Sequence, residues 1–319
     1  MKSKYVFPND FMADPSAHVF NGKLYIYPSH DRNSGEAFDD DGGHFQMRDY
    51  HVLRIDGDPM KCDATDCGML FSVDDVPWAS AQLWDNDCVE AQGTYHLIFS
   101  AKDQNGVFRL GVANAPTPEG PFTPNADPIR GSYSIDPCVF KDDDGKIYLY
   151  FGGIWGGQLQ RYRNNIALKA EHLPEGDETE LPPRVALMTA DAQQLAEAPR
   201  AVIITDGQGN ELKASDPHRF FEASWMHKHN GTYYFVYSTG DTHLLCYAKG
   251  ESPYGPFVFG GELVQPVVGW TTHCCITEKD GHTYLFFHDC VPSNDTTWLR
   301  SLKVAEIEYD ENGNMKCIE

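Results

Sequence analysis

Five stretches of the chain share one pattern, a turn glycine followed by aromatic and aliphatic residues in alternation: NGKLYIY (21–27), QGTYHLIF (92–99), DGKIYLYF (144–151), NGTYYFVY (230–237) and DGHTYLFF (280–287). A glycine after Asn or Asp supplies the positive φ of a tight turn, and a period of two marks a strand. Each stretch is therefore predicted to be the second strand of a β-hairpin. A longer repeat supports this: VANAPTPEGPF (112–122) and YAKGESPYGPF (247–257) place Ala, Pro and Gly-Pro-Phe at matching offsets after a hairpin.

Five similar hairpins, each followed by further strand-like segments such as VFRLGVA and HLLCYA, predict an all-β fold, a five-bladed β-propeller of four-stranded sheets. Each blade then takes roughly 50 to 85 residues, the excess over an ordinary blade lying in loops. A two-sheet sandwich is the alternative, but it leaves the fivefold repeat without a cause. Only residues 164–200 break the β pattern. They are expected to form an insertion between the third and fourth blades, with a short helix around Ala190 to Ala198, inside a single domain spanning 1–319.

In a propeller the first strand of every blade lines the central channel, so residues just upstream of the hairpins converge. Three acids occupy that register: Asp14 in MADPSAHVFNGK, Asp136 in SIDPCVFKDDDGK and Glu222 in FFEASWMHKHNG. Convergent carboxylates without a basic cluster suit glycosidic bond hydrolysis, in which one acid protonates the leaving oxygen and another activates water. The neighbours Phe221 and Trp225 are expected to desolvate Glu222 and hold its proton at neutral pH, as a general acid requires.

Charge narrows the choice of partner. With 47 acidic against 25 basic residues, a formal charge of -22 repels phosphate backbones and anionic lipid, so neither nucleic acid nor membrane is expected. The opening MKSKYVFPNDFMADP lacks the apolar run of a secretory peptide, and no later run approaches the ~20 apolar residues of a spanning helix. Nine cysteines, odd in number and without a C-x-x-C, read as reduced thiols, and the chain is expected in the cytoplasm. The runs Asp39–Asp41 and Asp142–Asp144 lack the alternating ligands of a calcium loop and read as solvated turns.

The motifs ADPSAHVF, SIDPCVF and FEASWMHKHNGTYYF resemble the base, pKa-tuning and acid motifs of glycoside hydrolase family 43, and the resemblance runs through all five blades. It implies an inverting enzyme of β-xylosides and α-L-arabinofuranosides, with Asp14 as general base, Asp136 as modulator and Glu222 as general acid. GWTTHCCI resembles the fifth-blade segment whose first histidine faces the channel, which makes His273 the candidate contact of a divalent metal, Ca²⁺ foremost. The family often continues with His and Ser where this chain has Cys274 and Cys275, and those adjacent thiols lack zinc spacing.

SAQLWDNDC resembles the second-blade entry, with Asp85 and Asn86 in place of Ala and Pro, and makes Trp84 the residue that stacks on a sugar. WLRSLKVAEIEYDENGNM resembles the last strand and implies that Arg300 reaches substrate hydroxyls. GSYSIDP, WGGQLQRY and GWTTH together look most like the family's cytoplasmic β-xylosidases, so the expected substrate is a small xylo-oligosaccharide attacked at its terminal β-D-xylosyl residue. An α-L-arabinofuranosidase, a retaining fructosidase-like propeller and a carbohydrate-binding propeller without catalysis stay open, as does a homo-oligomer.

Overall fold

A computed structural model describes residues 1–318. Twenty-five strands form five successive sheets and one short two-stranded ribbon, and the sheets are the blades of a five-bladed β-propeller. The first blade orders Met12–Phe20, Lys23–His30, Asp49–Ile55 and Thr65–Ser72 outward from the axis. The innermost strands of the others are Asn86–Ala91, Cys138–Lys141, Phe220–His229 and Cys275–Lys279.

Four of the five hairpins close in two residues that both have positive φ: Asn21-Gly22, Gln92-Gly93, Asn230-Gly231 and Asp280-Gly281. This is the mirror-image turn whose twist matches paired strands, and it fixes the registers Phe20↔Lys23, Ala91↔Thr94, His229↔Thr232 and Lys279↔His282. The third turn is longer, with the Gly145 amide bonded to the Asp142 carbonyl at 2.9 Å. Blades stack face to face, so these strands are buried on both sides; Thr232–Thr239 is buried at every position but its first. The alternation in sequence therefore sorts residues between neighbouring blades, not between core and water.

The ring closes where the chain ends meet. Ser3–Tyr5 pairs with Ser301–Tyr309 of the fifth blade, Ser3 opposite Ala305, which ties the first residues to the last sheet.

Two expectations for residues 164–200 are corrected. The insertion lies inside the third blade: after Ile147–Phe151 the chain makes the turns Trp155–Gly157 and Leu159–Arg161 and the ribbon Tyr162–Arg163 with Ile166–Ala167. It then returns as the blade's outer strands, Arg184–Leu187 and Arg200–Ala201. No helix forms over Ala190 to Ala198. The Thr189 and Asp191 side chains accept the Gln193 amide, and the Thr189 amide bonds the Gln194 carbonyl at 2.8 Å, so local side-chain bonds close a loop where composition alone favoured a helix. Asp142 is not a solvated turn residue either, since Lys228 and Tyr233 both bond its carboxylate at 2.6 Å.

Candidate active site

One cavity at an end of the propeller axis collects all six residues singled out from sequence: Asp14, Trp84, Asp136, Glu222, His273 and Arg300. Its aromatic walls are Phe45, Trp84, Trp155, Phe221 and Trp270, and the space they bound is about 780 Å³ with its open mouth included. Trp155 packs 5.5 Å from Phe221 and 5.3 Å from Trp270, so the inserted segment of the third blade builds part of the wall.

Backbone irregularities aim the acids inward. Asp14 and Asp136 stand at φ 46° and 58°, and Ala223, just after Glu222, at 65°. Pairing slips between Ala13 and Ser16 and on both sides of Glu222. Such bulges lift a residue out of the ladder and re-aim its side chain, at a strain of about 1–3 kcal/mol each. Aspartate tolerates this backbone better than most residues, which suits it to the two Asp-Pro positions. Opposite Glu222 stands Gly153, where a Cβ would lie 2.6 Å from Ile135 and 3.4 Å from the Glu222 side chain, so the position admits no larger residue.

Each carboxylate has a distinct partner set. Asp14 Oδ1 accepts from Arg300 Nη1 at 2.6 Å, and its amide donates to His288 Nδ1 at 3.1 Å. Arg300 is itself held by Asp31 through Nε (2.8 Å), Nη2 (2.7 Å) and its backbone amide (2.8 Å), and lies 5.0 Å over the Phe45 ring. Asp136 Oδ2 accepts the Ala223 amide at 2.6 Å. Glu222 Oε1 accepts the Thr271 hydroxyl, and Asp85 Oδ1 meets His273 Nδ1 at 3.0 Å.

Protonation follows from these contacts. Burial, then the charge of Asp85 and a hydrogen bond with it, push Asp136 well above the carboxylate range. Its Oδ1 is buried without a hydrogen-bond partner, which suits a neutral carboxyl better than a carboxylate. Burial opposes ionisation of Asp85, yet the Asp136 hydrogen bond and the His273 charge hold it below its ordinary value. His273 rises correspondingly, Asp85 and the other acids outweighing burial.

Burial raises Glu222 to about 7 against the Thr271 hydrogen bond. It raises Asp14 to about 8 against Arg300. Taken alone, these values would have Glu222 ionise first. The contacts decide otherwise: Asp14 has a charge-assisted bond to a guanidinium that never loses its proton, whereas Glu222 has a neutral hydroxyl. Asp14 is therefore the better placed of the two to carry a negative charge, and Glu222 to hold a proton.

One sequence expectation changes, that for Trp225. Trp225 does not desolvate Glu222; it lies on a separate cavity, 5.8 Å from His18, and the desolvation comes from Phe221, Trp155 and Trp270. The Trp84 ring is wedged 4.5 Å from Phe108 with Nε1 bonded to the Phe45 carbonyl at 2.9 Å, so it presents a fixed wall of the pocket. Arg300 spends its bonds chiefly on Asp14 and Asp31. Sequence reasoning passed over Asp31, Thr271 and His288, and it treated Asp85 only as a departure from a motif. Their one sequence signal is position, since Thr271 sits two residues before His273 and Asp31 directly after Lys23–His30.

A divalent cation would find one nitrogen and two carboxylates within 4.8 Å of one another in Asp14, Asp85 and His273. Arg300 and the Asp85–His273 contact already occupy part of that set. It fits a hard cation that brings most of its oxygen ligands as water. Cys274 and Cys275 are wholly buried with their thiols pushed up by burial, and offer no thiolate for zinc.

A five-bladed propeller with buried carboxylates from three blades around an aromatic pocket defines a glycoside hydrolase. The chain belongs to the glycosyl hydrolases family 43, whose model matches residues 67–315. It is 73% identical over 318 residues to a beta-xylosidase of Xylanibacter ruminicola, covering 100% of both chains. It is 58% identical to a xylosidase/arabinosidase of Bacteroides ovatus, covering 100% of this chain and 98% of that one. Among solved structures it resembles a family 43 β-xylosidase/α-arabinofuranosidase from a compost microbial metagenome, in complex with xylotriose in a calcium-free form. The TM-score is 0.96 and the identity 48%, covering 100% of this chain and 97% of that one.

Proposed function

We propose that the protein is an inverting exo-glycosidase that removes terminal β-D-xylosyl residues from short xylo-oligosaccharides, with α-L-arabinofuranosides as a second substrate class. The observation that carries this is the division of labour among Asp14, Asp136 and Glu222 in one pocket: a carboxylate held by Arg300, a protonated modulator and a desolvated acid. Glu222 gives its proton to the leaving glycosidic oxygen, while Asp14 takes one from the water that attacks the anomeric carbon on the opposite face. Asp136 fixes the bulge that carries Glu222 through the Ala223 amide. A propeller that merely bound sugar would gain nothing from burying three acids, each unfavourable to desolvate.

The names of the relatives above support both substrate classes. When bound, Ca²⁺ supplies positive charge at the axis; His273 and Asp85 would hold it, and it would keep the pocket acids from repelling one another. Nine unpaired thiols support a reducing compartment such as the cytoplasm.

The test pairs leaving groups. Glu222→Gln is expected to cripple xylobiose hydrolysis far more than hydrolysis of an activated aryl xyloside, and NMR of the wild-type product should show the inverted anomer first. Equal losses on both substrates would remove Glu222 as acid, and a retained anomer would remove the inverting mechanism. Assay after chelation, then with Ca²⁺ restored, decides the cation: unchanged rates throughout would dismiss it.

A further inference from the structure

At the other end of the innermost fourth-blade strand, a second cluster of metal-binding side chains has no part in the chemistry above. His227 and His229 are two apart on Phe220–His229 and so point to one face of the sheet. Glu278, on the innermost fifth-blade strand Cys275–Lys279, faces them across the blade junction. Glu278 Oε1 is 2.8 Å from His229 Nδ1 and 3.7 Å from His227 Nε2. Donors on a tetrahedral zinc ion with bonds near 2.0–2.1 Å stand roughly 3.3 Å apart, a value these two separations bracket.

A second observation points to a ligand. His227 is 8% exposed, and its Nε2 is buried without a hydrogen-bond partner. Leaving such a nitrogen unpaired is unfavourable, and a metal ion removes that cost. The His229 ring is fixed by a parallel stack 3.9 Å from Tyr309, itself at the end of fifth-blade strand Ser301–Tyr309. Its Nε2 stands 2.9 Å from the Asn230 side-chain amide, which by flipping offers the carbonyl oxygen that a metal-bound imidazole needs for its N–H. Glu278 is half exposed, so solvent reaches the fourth coordination position.

From this geometry we infer that His227, His229 and Glu278 form a binding site for a borderline divalent transition ion, Zn²⁺ foremost, that clamps the fourth blade to the fifth. Two imidazoles and a carboxylate are the ligand set such ions prefer, unlike the oxygen-rich shell calcium requires. His227 lies five residues beyond Glu222, roughly 17 Å along a strand, and the clamp is independent of the axial pocket. Its role is cohesion: the ion adds a coordinate link to the hydrogen bonds and packed side chains that already join these two sheets.

Titration of Zn²⁺ into metal-free full-length protein tests it, with His229→Gln and Glu278→Gln as variants at partly exposed positions. The wild type should bind one Zn²⁺ and gain thermal stability from it. Both variants should bind at least tenfold more weakly and lose that gain, while hydrolysing an aryl xyloside at the wild-type rate. Substituted Co²⁺ should show the absorption of a nitrogen-ligated, four-coordinate ion in the wild type alone. Zn²⁺ affinity equal in all three proteins would overturn the inference, as would Zn²⁺ that Ca²⁺ displaces from every one of them, because the ion would then sit in the axial pocket.

Discussion

Glu222→Gln should change how stability responds to pH, and the direction follows from the site. The carboxyl rises from 4.5 to about 7 on folding, chiefly through burial. A carboxyl raised in the folded state contributes stability that is complete below the unfolded pKa and is lost as pH climbs through the folded one. The shift of about 2.5 units corresponds to about 3 kcal/mol at 1.36 kcal/mol per unit. That is a ceiling, since part of the Glu222 surface meets pocket water. Of this ceiling, about 2.5 kcal/mol falls between pH 5 and 8.5, of which about 2 kcal/mol is expected once pocket water is allowed for. Glutamine keeps an acceptor for the Thr271 hydroxyl and cannot ionise, so the variant should lack this component. Urea unfolding of both proteins at pH 5 and 8.5 measures it, with the variant gaining about 2 kcal/mol on the wild type at the higher pH. Parallel pH dependence in the two proteins would show that Glu222 is not held protonated by its surroundings, and the acid assignment would lose its physical basis.

Two further substitutions probe the partners of that acid. Asp14→Asn should lower kcat by on the order of 10² to 10⁴ while xylose binding by calorimetry stays within a few-fold, because an amide keeps the bond to Arg300 but takes no proton from water. More than half of wild-type turnover would remove Asp14 as base. Asp85→Asn removes a charge that raises Glu222, so the alkaline limb of kcat/KM should move down by on the order of one pH unit; an unmoved limb would show that Asp85 does not reach Glu222 electrostatically.

The blades were legible because their signal is local. A two-residue turn with positive φ must lie next to the strands it joins, so Asn21-Gly22 and Asn230-Gly231 betray their hairpins wherever the rest of the chain goes. The acids were legible because they share a register with those turns. What stayed hidden depends on contacts between distant parts of the chain. Trp225 is close to Glu222 in sequence, yet the slip in pairing on either side of Glu222 parts them in space. Asp31 looks like any strand-end acid until Arg300, 269 residues later, folds onto it. The segment 184–201 reads as an insertion with a short helix because its strands are four and two residues long, too short for a period of two to emerge.

His288 links the two carboxylates proposed as base and acid. It is buried and kept neutral, burial and the neighbouring Arg300 charge driving its pKa well below the ordinary imidazole value. A neutral ring has one donor and one acceptor, and both are used: Nδ1 accepts the Asp14 amide at 3.1 Å, and Nε2 donates to the Thr271 carbonyl at 3.2 Å. Thr271 in turn donates its hydroxyl to Glu222. The backbone of the base, an imidazole on the fifth blade and the side chain of the acid therefore form one chain of hydrogen bonds. Protonating His288 would cost the Asp14 amide its acceptor and place a cation beside Arg300, so the same repulsion that keeps the ring neutral preserves the link. Inverting hydrolysis needs the base and the acid at a separation that admits one water. Three strained backbone positions and one neutral imidazole, whose tautomer follows from the Asp14 amide and the Thr271 carbonyl, hold the two side chains proposed for those roles.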